Sequence, residues 1–358
     1  MAYNFRTVAA AAALSLATLA PMTLASAADM APFPVKAKPI VDVPFFLVND
    51  NRVTFAYQFN GVDPGVTNKT AKQVYAFTHF DIWAYGTNFF NIGLEKADHA
   101  SPANPCADPT RPITGCEGAT EIYGLIRSTF GFNEIFNTKA FTVGPLRNVS
   151  FEIGMDANTE NNFLAPAKRD LVAGLQFAFD LPYKGYINVA PLMYYEFLNH
   201  NAFTQCGLFG PGVPGVTCNS DGNVSYKPTW AVEINYYMDL GFLPPNMQFW
   251  SISGRAGWYG PKGDSNGLPA LSGAGIFSTK SKTELNSEPI RLTFDASKAV
   301  WGDKYSHFVD LWVAYRYWQN KFGLDHNAMA GVCTVAGTGQ STKSCTESTV
   351  YGGVTVKF

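Results

Sequence analysis

The chain has 358 residues, of which 47% are apolar, 15% are aromatic and 15% are charged. An average soluble domain carries about 25% charged residues, so the composition does not favour an ordinary soluble domain. The formal net charge of −2 argues against a partner that is a nucleic acid polymer, because such a binder shows a basic stripe. No run of about 18 apolar residues follows the N-terminal segment, so no later helix is expected to span a bilayer.

The N-terminal segment has the pattern of a secretory signal peptide. Arg6 supplies a positive charge, residues 8–20 form an uncharged apolar run, and residues 25–27 (Ala-Ser-Ala) match the small-x-small cleavage rule. We therefore expect residues 1–27 to be a signal peptide. The alternative is an uncleaved anchor, which the short apolar run and the cleavage site both disfavour.

Residues 28–50 contain several prolines, which predicts an extended leader in the periplasm. Residues 51–358 follow as the folded domain. An exported, aromatic-rich and charge-poor chain without a spanning helix fits a closed β-barrel, because a closed barrel pairs every backbone polar group inside lipid. The expected fold class is therefore all-β: a transmembrane antiparallel up-and-down β-barrel in the bacterial outer membrane, with membrane lipid as a partner.

Residues 51–358 alternate between apolar and polar or small side chains. A transmembrane strand needs about 9–11 residues, in which lipid-facing apolar residues alternate with lumen-facing polar ones. This period predicts twelve strands, an even number that suits a single-chain bacterial barrel with both termini in the periplasm. The strands are predicted near residues 52–60, 72–80, 82–92, 121–130, 141–157, 170–179, 186–198, 229–239, 248–259, 288–295 and 308–318, with a twelfth that ends at residue 358. The second and third are the least regularly patterned.

The C-terminal strand carries a further signal. From Val350 to Phe358, apolar or glycine residues on one face alternate with Tyr, Gly, Thr and Lys on the other. A final strand that ends in phenylalanine is the pattern that outer-membrane barrels present to their assembly machinery. Phe358 is therefore the expected contact with the barrel-assembly machinery.

The connections between the predicted strands are of two kinds. Short ones, such as 180–185 and 241–246, predict periplasmic turns, and long ones at 95–119, 199–226 and 321–347 predict extracellular loops. Each long loop holds one close pair of cysteines, and the exported compartment is oxidising. Three local disulfides are therefore expected: Cys106–Cys116, Cys206–Cys218 and Cys333–Cys345. Zinc is the alternative, but no Cys-x-x-Cys spacing or flanking histidine supports it, and no metal or other cofactor is expected.

Seven aromatic residues are expected to form the girdles at the membrane–water interfaces, where amphipathic rings lie at headgroup level. They are Trp83, Tyr85, Trp250, Trp258, Trp312, Tyr317 and Trp318. The alternative is that these rings fill the core of a soluble β-protein.

The lumen-facing positions collect charges of both signs together with aromatic side chains. The predicted pore-lining residues are Arg52, Glu121, Tyr123, Arg127, Glu152, Tyr194, Glu233, Arg255, Arg291, Asp310, Trp312 and Arg316. Aromatic faces stack on flat rings at roughly 1–3 kcal/mol per base, and charged groups hydrogen-bond base edges and hydroxyls. This mixture favours a small, flat, polar solute, and we hypothesise that Arg127 and Arg316 help to bind it. The alternative is that opposite charges pair across strands and only stiffen the barrel.

Four segments carry a family resemblance. Residues 174–182 run from a strand into a Leu-Pro turn, residues 141–146 have a hydrophobic-x-x-Gly-Pro pattern, and residues 348–358 form a closing strand. With residues 76–83, which look like a second turn, these segments resemble the nucleoside-specific channel-forming, Tsx-like family of outer-membrane proteins. The resemblance implies a narrow, monomeric, twelve-stranded channel for nucleosides and deoxynucleosides. The three cysteine-bearing loops depart from the family's pattern.

Other functions remain as alternatives. A general porin or a porin for another solute fits the same strand pattern, and a structural or adhesin barrel fits it as well. Outer-membrane phospholipases also have twelve strands, but the adjacent residues Ser306 and His307 would point to opposite faces of a strand and could not form a catalytic dyad. No enzymatic activity is therefore expected.

The cysteine pattern gives a first test. Each local disulfide would close a loop of about a dozen residues and stabilise it by roughly 2–3 kcal/mol in the chain-entropy model. Peptide mapping under non-reducing conditions should recover Cys106 joined to Cys116, Cys206 to Cys218 and Cys333 to Cys345. Peptides that join cysteines from different loops would contradict the pairing.

Overall fold

A computed structural model of the protein describes residues 45–66, 68–106, 115–162, 165, 167–200, 202, 205–207, 214, 220–262 and 281–358. The predicted signal peptide and residues 28–44 of the predicted leader lie outside the described residues. Twelve long strands are present: β1 (Phe46–Gly61), β2 (Thr70–Trp83), β3 (Gly86–Ala97), β4 (Thr120–Gly131), β5 (Leu146–Glu160), β6 (Ala167–Leu181), β7 (Gly185–His200), β8 (Thr229–Asp239), β9 (Trp250–Tyr259), β10 (Glu284–Asp295), β11 (Val309–Gln319) and β12 (Thr346–Lys357). Two short α-helices, α1 (Phe132–Ile135) and α2 (Ala296–Trp301), lie in connections.

The twelve strands close into a barrel. Each strand pairs antiparallel with its neighbours in sequence, and β1 pairs with β12, with Arg52 opposite Lys357 and Gln58 opposite Tyr351. A two-residue strand, Asn223–Val224, pairs with the end of β7. The predicted all-β, twelve-stranded antiparallel barrel is therefore confirmed. No helix among the described residues is long and apolar enough to cross a membrane.

The connections alternate between the two ends of the barrel. At the end where β1 begins and β12 finishes, which we call the terminus end, the turns are residues 84–85, 132–145, 182–184, 240–249 and 296–308. At the opposite end, the loop end, lie the connections that contain all six cysteines. The disulfides Cys106–Cys116 and Cys333–Cys345 are confirmed, with Cα–Cα distances of 5.9 and 5.3 Å. The third predicted pair includes Cys218, which lies outside the described residues.

Side chains alternate between the outside and the inside of the wall, as the two-residue period of a strand requires. On β1, Val53 and Phe55 point outwards and are 45% and 44% exposed, whereas Ala56 and Gln58 point inwards and are 1% and 4% exposed. The wall is thus apolar outside and largely polar inside.

A small apolar core lies at the loop end. It joins residues of the β7–β8 connection to residues of the β11–β12 connection. Its members are Val224, Tyr226, Leu324, Met329, Val332, Cys333 and Cys345. The Cys333–Cys345 disulfide is part of this loop-end core, so it fastens a packed cluster rather than an isolated loop.

Several strand ends differ from the prediction. β2 continues through Trp83 and β3 starts at Gly86, so residues 76–83 lie in a strand and are not a turn. β5 starts at Leu146 and not at Phe141, because the Phe141 ring packs on Phe132, 5.3 Å between centroids, within the preceding turn.

The strands also extend beyond the predicted segments at two places. β10 starts at Glu284, and its Pro289 is accommodated at a register shift between Ser287 and Ile290. β1 starts at Phe46, five residues before the predicted boundary at residue 51.

The loop-end core should be able to lose its packing while the barrel stays folded. We expect Leu324→Ala, which removes a side chain that is 1% exposed, to destabilise the core by about 2–5 kcal/mol. Limited proteolysis should then cut the β11–β12 connection faster, while heat-modifiable gel mobility still reports a folded barrel. Val335→Ala, at an exposed position of the same connection, is the control. Loss of the folded band in step with loop cleavage would contradict the separation.

Candidate functional site in the barrel interior

All twelve residues that were predicted to line a pore lie at inward-facing strand positions. They fall into three sections along the barrel axis. The middle section holds Arg127, Glu152, Glu233, Arg255 and Arg291; the loop-end section holds Glu121, Tyr123, Tyr194 and Arg316; the terminus-end section holds Arg52, Asp310 and Trp312.

Arg127 crosses the middle of the lumen. Its guanidinium donates to both carboxylate oxygens of Glu233, at 3.0 and 2.7 Å, and to Asp156 at 2.5 Å. Glu152 lies 3.8 Å from its Nε. Because three strands separate β4 from β8 in the sheet, the Arg127–Glu233 pair is a chord through the interior and not a contact along the wall. We call this pair the crossbar.

Tyrosines surround the crossbar. The Tyr259 hydroxyl donates to Glu233 at 3.0 Å, and the Tyr123 hydroxyl donates to Asp156 at 3.3 Å. The Tyr194 ring packs on the Tyr259 ring with 4.9 Å between centroids. These three tyrosines come from β4, β7 and β9, so aromatic surface reaches the middle section from separate parts of the wall.

Arg255 differs from the other inward arginines. It is exposed to solvent although it points into the barrel, so water reaches its side chain inside the lumen. Its electrostatic neighbours include Glu288, Glu233, Tyr123 and Tyr259. Within the part of the chain that the structure describes, it forms no salt bridge of 4.0 Å or less. Its guanidinium donors are therefore available to a solute.

The loop-end section is a dense charge network. Lys72 lies 3.2 Å from Asp63, 3.7 Å from Glu95 and 3.5 Å from Glu121. Burial raises the pKa of Asp63, which lies in the β1–β2 connection, but the charges of Lys72 and Lys321 outweigh burial and lower that pKa to about 2.

Arg316 belongs to the same network. Its Nε lies 2.8 Å from Glu347, and the Lys321 amino group lies 3.3 Å from the other oxygen of that carboxylate. Arg316 and Arg127 thus both form ion pairs with carboxylates. This arrangement is the one expected if opposite charges pair across strands and stiffen the barrel.

The terminus-end section contains a hydrogen-bonded chain that ends in a turn. Arg52 pairs with Asp50 at 2.6 Å and lies 3.8 Å from Asp310. His307, in the turn before β11, has Nδ1 3.0 Å from Asp310 and Nε2 3.1 Å from the Tyr237 hydroxyl. The hydrogen bond to Asp310 raises the pKa of His307, and the charges of Asp310 and Asp295 add to this effect, while burial and Arg52 oppose it.

Arg291 and Trp312 form a stacked pair where the middle section meets the terminus-end section. The guanidinium carbon lies 3.9 Å from the ring centroid, and Arg291 also pairs with Glu288 at 2.6 Å. The Trp312 Nε1 donates to Thr355 at 3.0 Å, and the Trp318 Nε1 donates to Glu284 at 2.7 Å. The prediction that Trp312 and Trp318 belong to an interfacial girdle is therefore wrong, because both rings lie inside the barrel.

Several interior residues are not in the set that the sequence predicted to line the pore. Lys72 and Tyr259 have inward parity in predicted strands, so the alternation could have found them. Asp63, Lys262 and Lys321 lie just beyond the strands, where no period assigns a face. Lys262 pairs with Glu196, so the missed lysines supply much of the positive charge at the loop end.

Comparison with known proteins yields similarity in structure only. No family model and no curated protein matches the chain. An outer-membrane channel from Pseudomonas putida F1 is 11% identical, with a TM-score of 0.42 over 92% of this chain and 100% of that chain. The translocator domain of the autotransporter NalP from Neisseria meningitidis is 10% identical, with a TM-score of 0.34 over 87% of both chains. LpxR from Salmonella typhimurium is 8% identical, with a TM-score of 0.35 over 86% of this chain and 100% of that chain. At these values the similarities carry no functional assignment.

The histidine in the terminus-end turn predicts a pH dependence. Folding raises the pKa of His307 above its ordinary value of about 6.5, so its contribution to stability is complete below that pH and is lost as the pH rises through the folded-state pKa. In urea unfolding followed by tryptophan fluorescence, the midpoint should fall more between about pH 6 and pH 9 for the wild type than for His307→Gln. His200→Gln, at an exposed loop-end position, is the control. Parallel pH profiles for the wild type and His307→Gln would contradict the assignment.

Proposed function

We propose that the protein is an outer-membrane channel for passive diffusion of small polar solutes, with nucleosides and deoxynucleosides as the first candidates. The observation that carries the proposal is Arg255, a solvent-exposed cation without a salt bridge among the described residues, inside a closed barrel and beside tyrosines. An apolar outer wall supports a location in a membrane, and a polar interior that water can enter supports a solute path through the barrel.

The charges of the middle section favour a solute without net charge. Its arginines and carboxylates are nearly equal in number. The three arginines are Arg127, Arg255 and Arg291, and the four carboxylates are Glu152, Asp156, Glu233 and Glu288. A nucleoside offers a flat ring to the tyrosines and hydrogen-bonding edges and hydroxyls to Arg255. The resemblance to the nucleoside-channel family supports the same solute class.

The crossbar argues for a narrow passage over a wide general porin. A chord between β4 and β8 divides the lumen at its middle, so a solute has to pass beside Arg127 or displace it. For the solute contact we place Arg255 ahead of Arg127, because Glu233 and Asp156 already accept from the Arg127 guanidinium. A solute contact of Arg316, whose Nε lies 2.8 Å from Glu347, stays a prediction.

The phospholipase alternative lacks a supporting geometry at the adjacent Ser–His pair. The Ser306 hydroxyl donates to Asp295 at 2.7 Å, whereas His307 Nδ1 faces Asp310. The serine and the imidazole therefore use different partners, and neither activates the other.

Conductance in planar bilayers tests the proposal. Purified protein should form channels whose current is blocked by nucleosides, and Arg255→Ala should weaken that block about tenfold, the equivalent of one charge-assisted hydrogen bond of roughly 1.4 kcal/mol. Arg127→Ala should raise the conductance, and it should destabilise the barrel by about 3–5 kcal/mol because buried carboxylates lose their partner.

The control for both variants is Arg147→Ala, which removes an exposed arginine that pairs with Asp180 away from the lumen. Absence of any conductance from folded, inserted barrels would refute the channel. Conductance with an unchanged nucleoside block in Arg255→Ala would leave a channel but remove Arg255 from solute binding.

A further inference from the structure

The connection between β11 and β12 contacts two opposite sides of the barrel at its loop end. We call residues 320–345, which form this connection, the lid. β1 and β7 are six positions apart in either direction around the twelve strands, so the β1–β2 and β7–β8 connections face each other across the mouth. Contacts with both connections place the lid between opposite walls.

Polar contacts hold one side of the lid on the β1–β2 connection. The Gly65 amide donates to the Ser344 hydroxyl at 3.2 Å. Lys321, in the first turn of the lid, donates to the Val62 carbonyl, and its amino group lies 3.6 Å from Asp63. Because Lys321 is buried, salt and water screen this ion pair little, and we call Lys321 the latch.

Apolar packing holds the other side of the lid on the β7–β8 connection. The loop-end core joins three side chains of the lid to two of that connection, and all five are buried: Leu324, Met329, Val332, Val224 and Tyr226. The Cys333–Cys345 disulfide belongs to the same core and ties the far part of the lid back to its base at β12. The lid is therefore a packed unit and not a free loop.

The lid folds inwards over the lumen. The Phe322 ring packs on the Trp318 ring inside the barrel, with 5.3 Å between centroids. On the opposite side, the Tyr226 ring of the loop-end core lies 4.8 Å from the amino group of Lys262, which pairs with the inward Glu196. Glu196 is 0% exposed, whereas Arg255 in the middle section is exposed to solvent. The loop-end section is thus covered, although water enters the lumen at its middle.

The contacts of the lid can break while the barrel stays closed. Besides the latch and the loop-end core, bonds from Lys282 to Gly323 (3.0 Å) and from Asn320 to Thr283 (2.8 Å) join the base of the lid to the β9–β10 connection. All of these contacts lie outside the strand ladders that close the barrel. Local opening of such a unit does not require the strands to separate.

We propose that the lid is a gate, which closes the loop-end mouth in this structure and admits solute when it leaves the loop-end core and the latch is broken. The inference rests on the proposed function, because a gate acts on passage through the barrel. The crossbar narrows the lumen whether the lid is open or closed, whereas the lid sets the fraction of time for which the mouth is open.

Single-channel recording in salt solution without nucleoside tests the gate. The wild type should be closed for most of the recording, with brief openings. Leu324→Ala and Lys321→Met should each raise the open fraction by roughly tenfold or more, because each weakens one attachment of the lid. Val335→Ala, at an exposed position of the lid, is the control for the first variant. Lys343→Met, which removes an exposed lysine of the lid, is the control for the second.

Hydrogen–deuterium exchange measures the lid independently of any current. The amides of Gly65 and Lys321, which donate to Ser344 and Cys345, should exchange slowly in the wild type and faster in Leu324→Ala, while the strands stay protected. Exchange of these amides in the wild type as fast as that of exposed turns overturns the proposal, even where no current is recorded.

The currents give two further outcomes. Equal open fractions in the wild type and both lid variants, with barrels shown folded by heat-modifiable gel mobility, overturn the gate. A rise in both lid variants but in neither control supports it. If those currents are not blocked by nucleosides, the gate is still supported and the nucleoside assignment of the proposed function is contradicted.

Discussion

Backbone hydrogen bonding is the constraint on which the rest of this structure depends. A strand edge left open in a membrane would leave a row of amide and carbonyl groups without partners, and pairing β1 with β12 removes both edges at once. Closure also fixes the register, with Arg52 opposite Lys357. A slip of one residue would turn Arg52 outwards and Val53 inwards, together with every other side chain of the strand. The inward and outward sets are thus consequences of closure.

Closure of the barrel brings many charged side chains into a small interior. Ion pairs between them offset the cost of burying these charges. Most inward cations have carboxylates within 4 Å, as Arg127 has Glu233 and Asp156. Such pairs resist motion because separating them leaves buried charge without compensation. Arg255, in contrast, is solvent-accessible within the lumen, and the carboxylates of Glu288 and Glu233 act on it at longer range. Under the proposed function, stiffness and solute contact are therefore assigned to different arginines of the same lumen.

The two-residue alternation along each strand made it possible to predict which side chains face the lumen. Arg127, Glu233 and Arg255 were all placed inwards from alternation alone, because alternation is a property of each strand by itself. The meeting of Arg127 with Glu233 was not predictable in the same way. It depends on the tilt and stagger of the strands, which set the diameter of a barrel and leave no trace in local sequence.

Strand ends were less predictable from the sequence than strand faces. The turn at residues 84–85 follows Ile82 and Trp83 without proline, and only Gly86 marks it. In β10 the predicted strand began at residue 288, whereas the strand begins at Glu284 and continues through Pro289 at a register shift. Lysines beyond the strand ends, such as Lys321, entered the charge network through loops, where no period applies.

The crossbar has a consequence for how the sequence can change. Arg127 is the cation that three carboxylates of the lumen share, since Glu233, Asp156 and Glu152 all lie within 4 Å of its guanidinium, so replacing Arg127 alone leaves three inward carboxylates without that partner. Substitutions within this set are therefore strongly epistatic, and drift at these four positions requires concerted replacements. Arg255 forms no salt bridge among the described residues, so it can be replaced without leaving a paired carboxylate behind. If the proposed function holds, a single substitution at Arg255 changes the solute preference while the charged set around Arg127 stays unchanged.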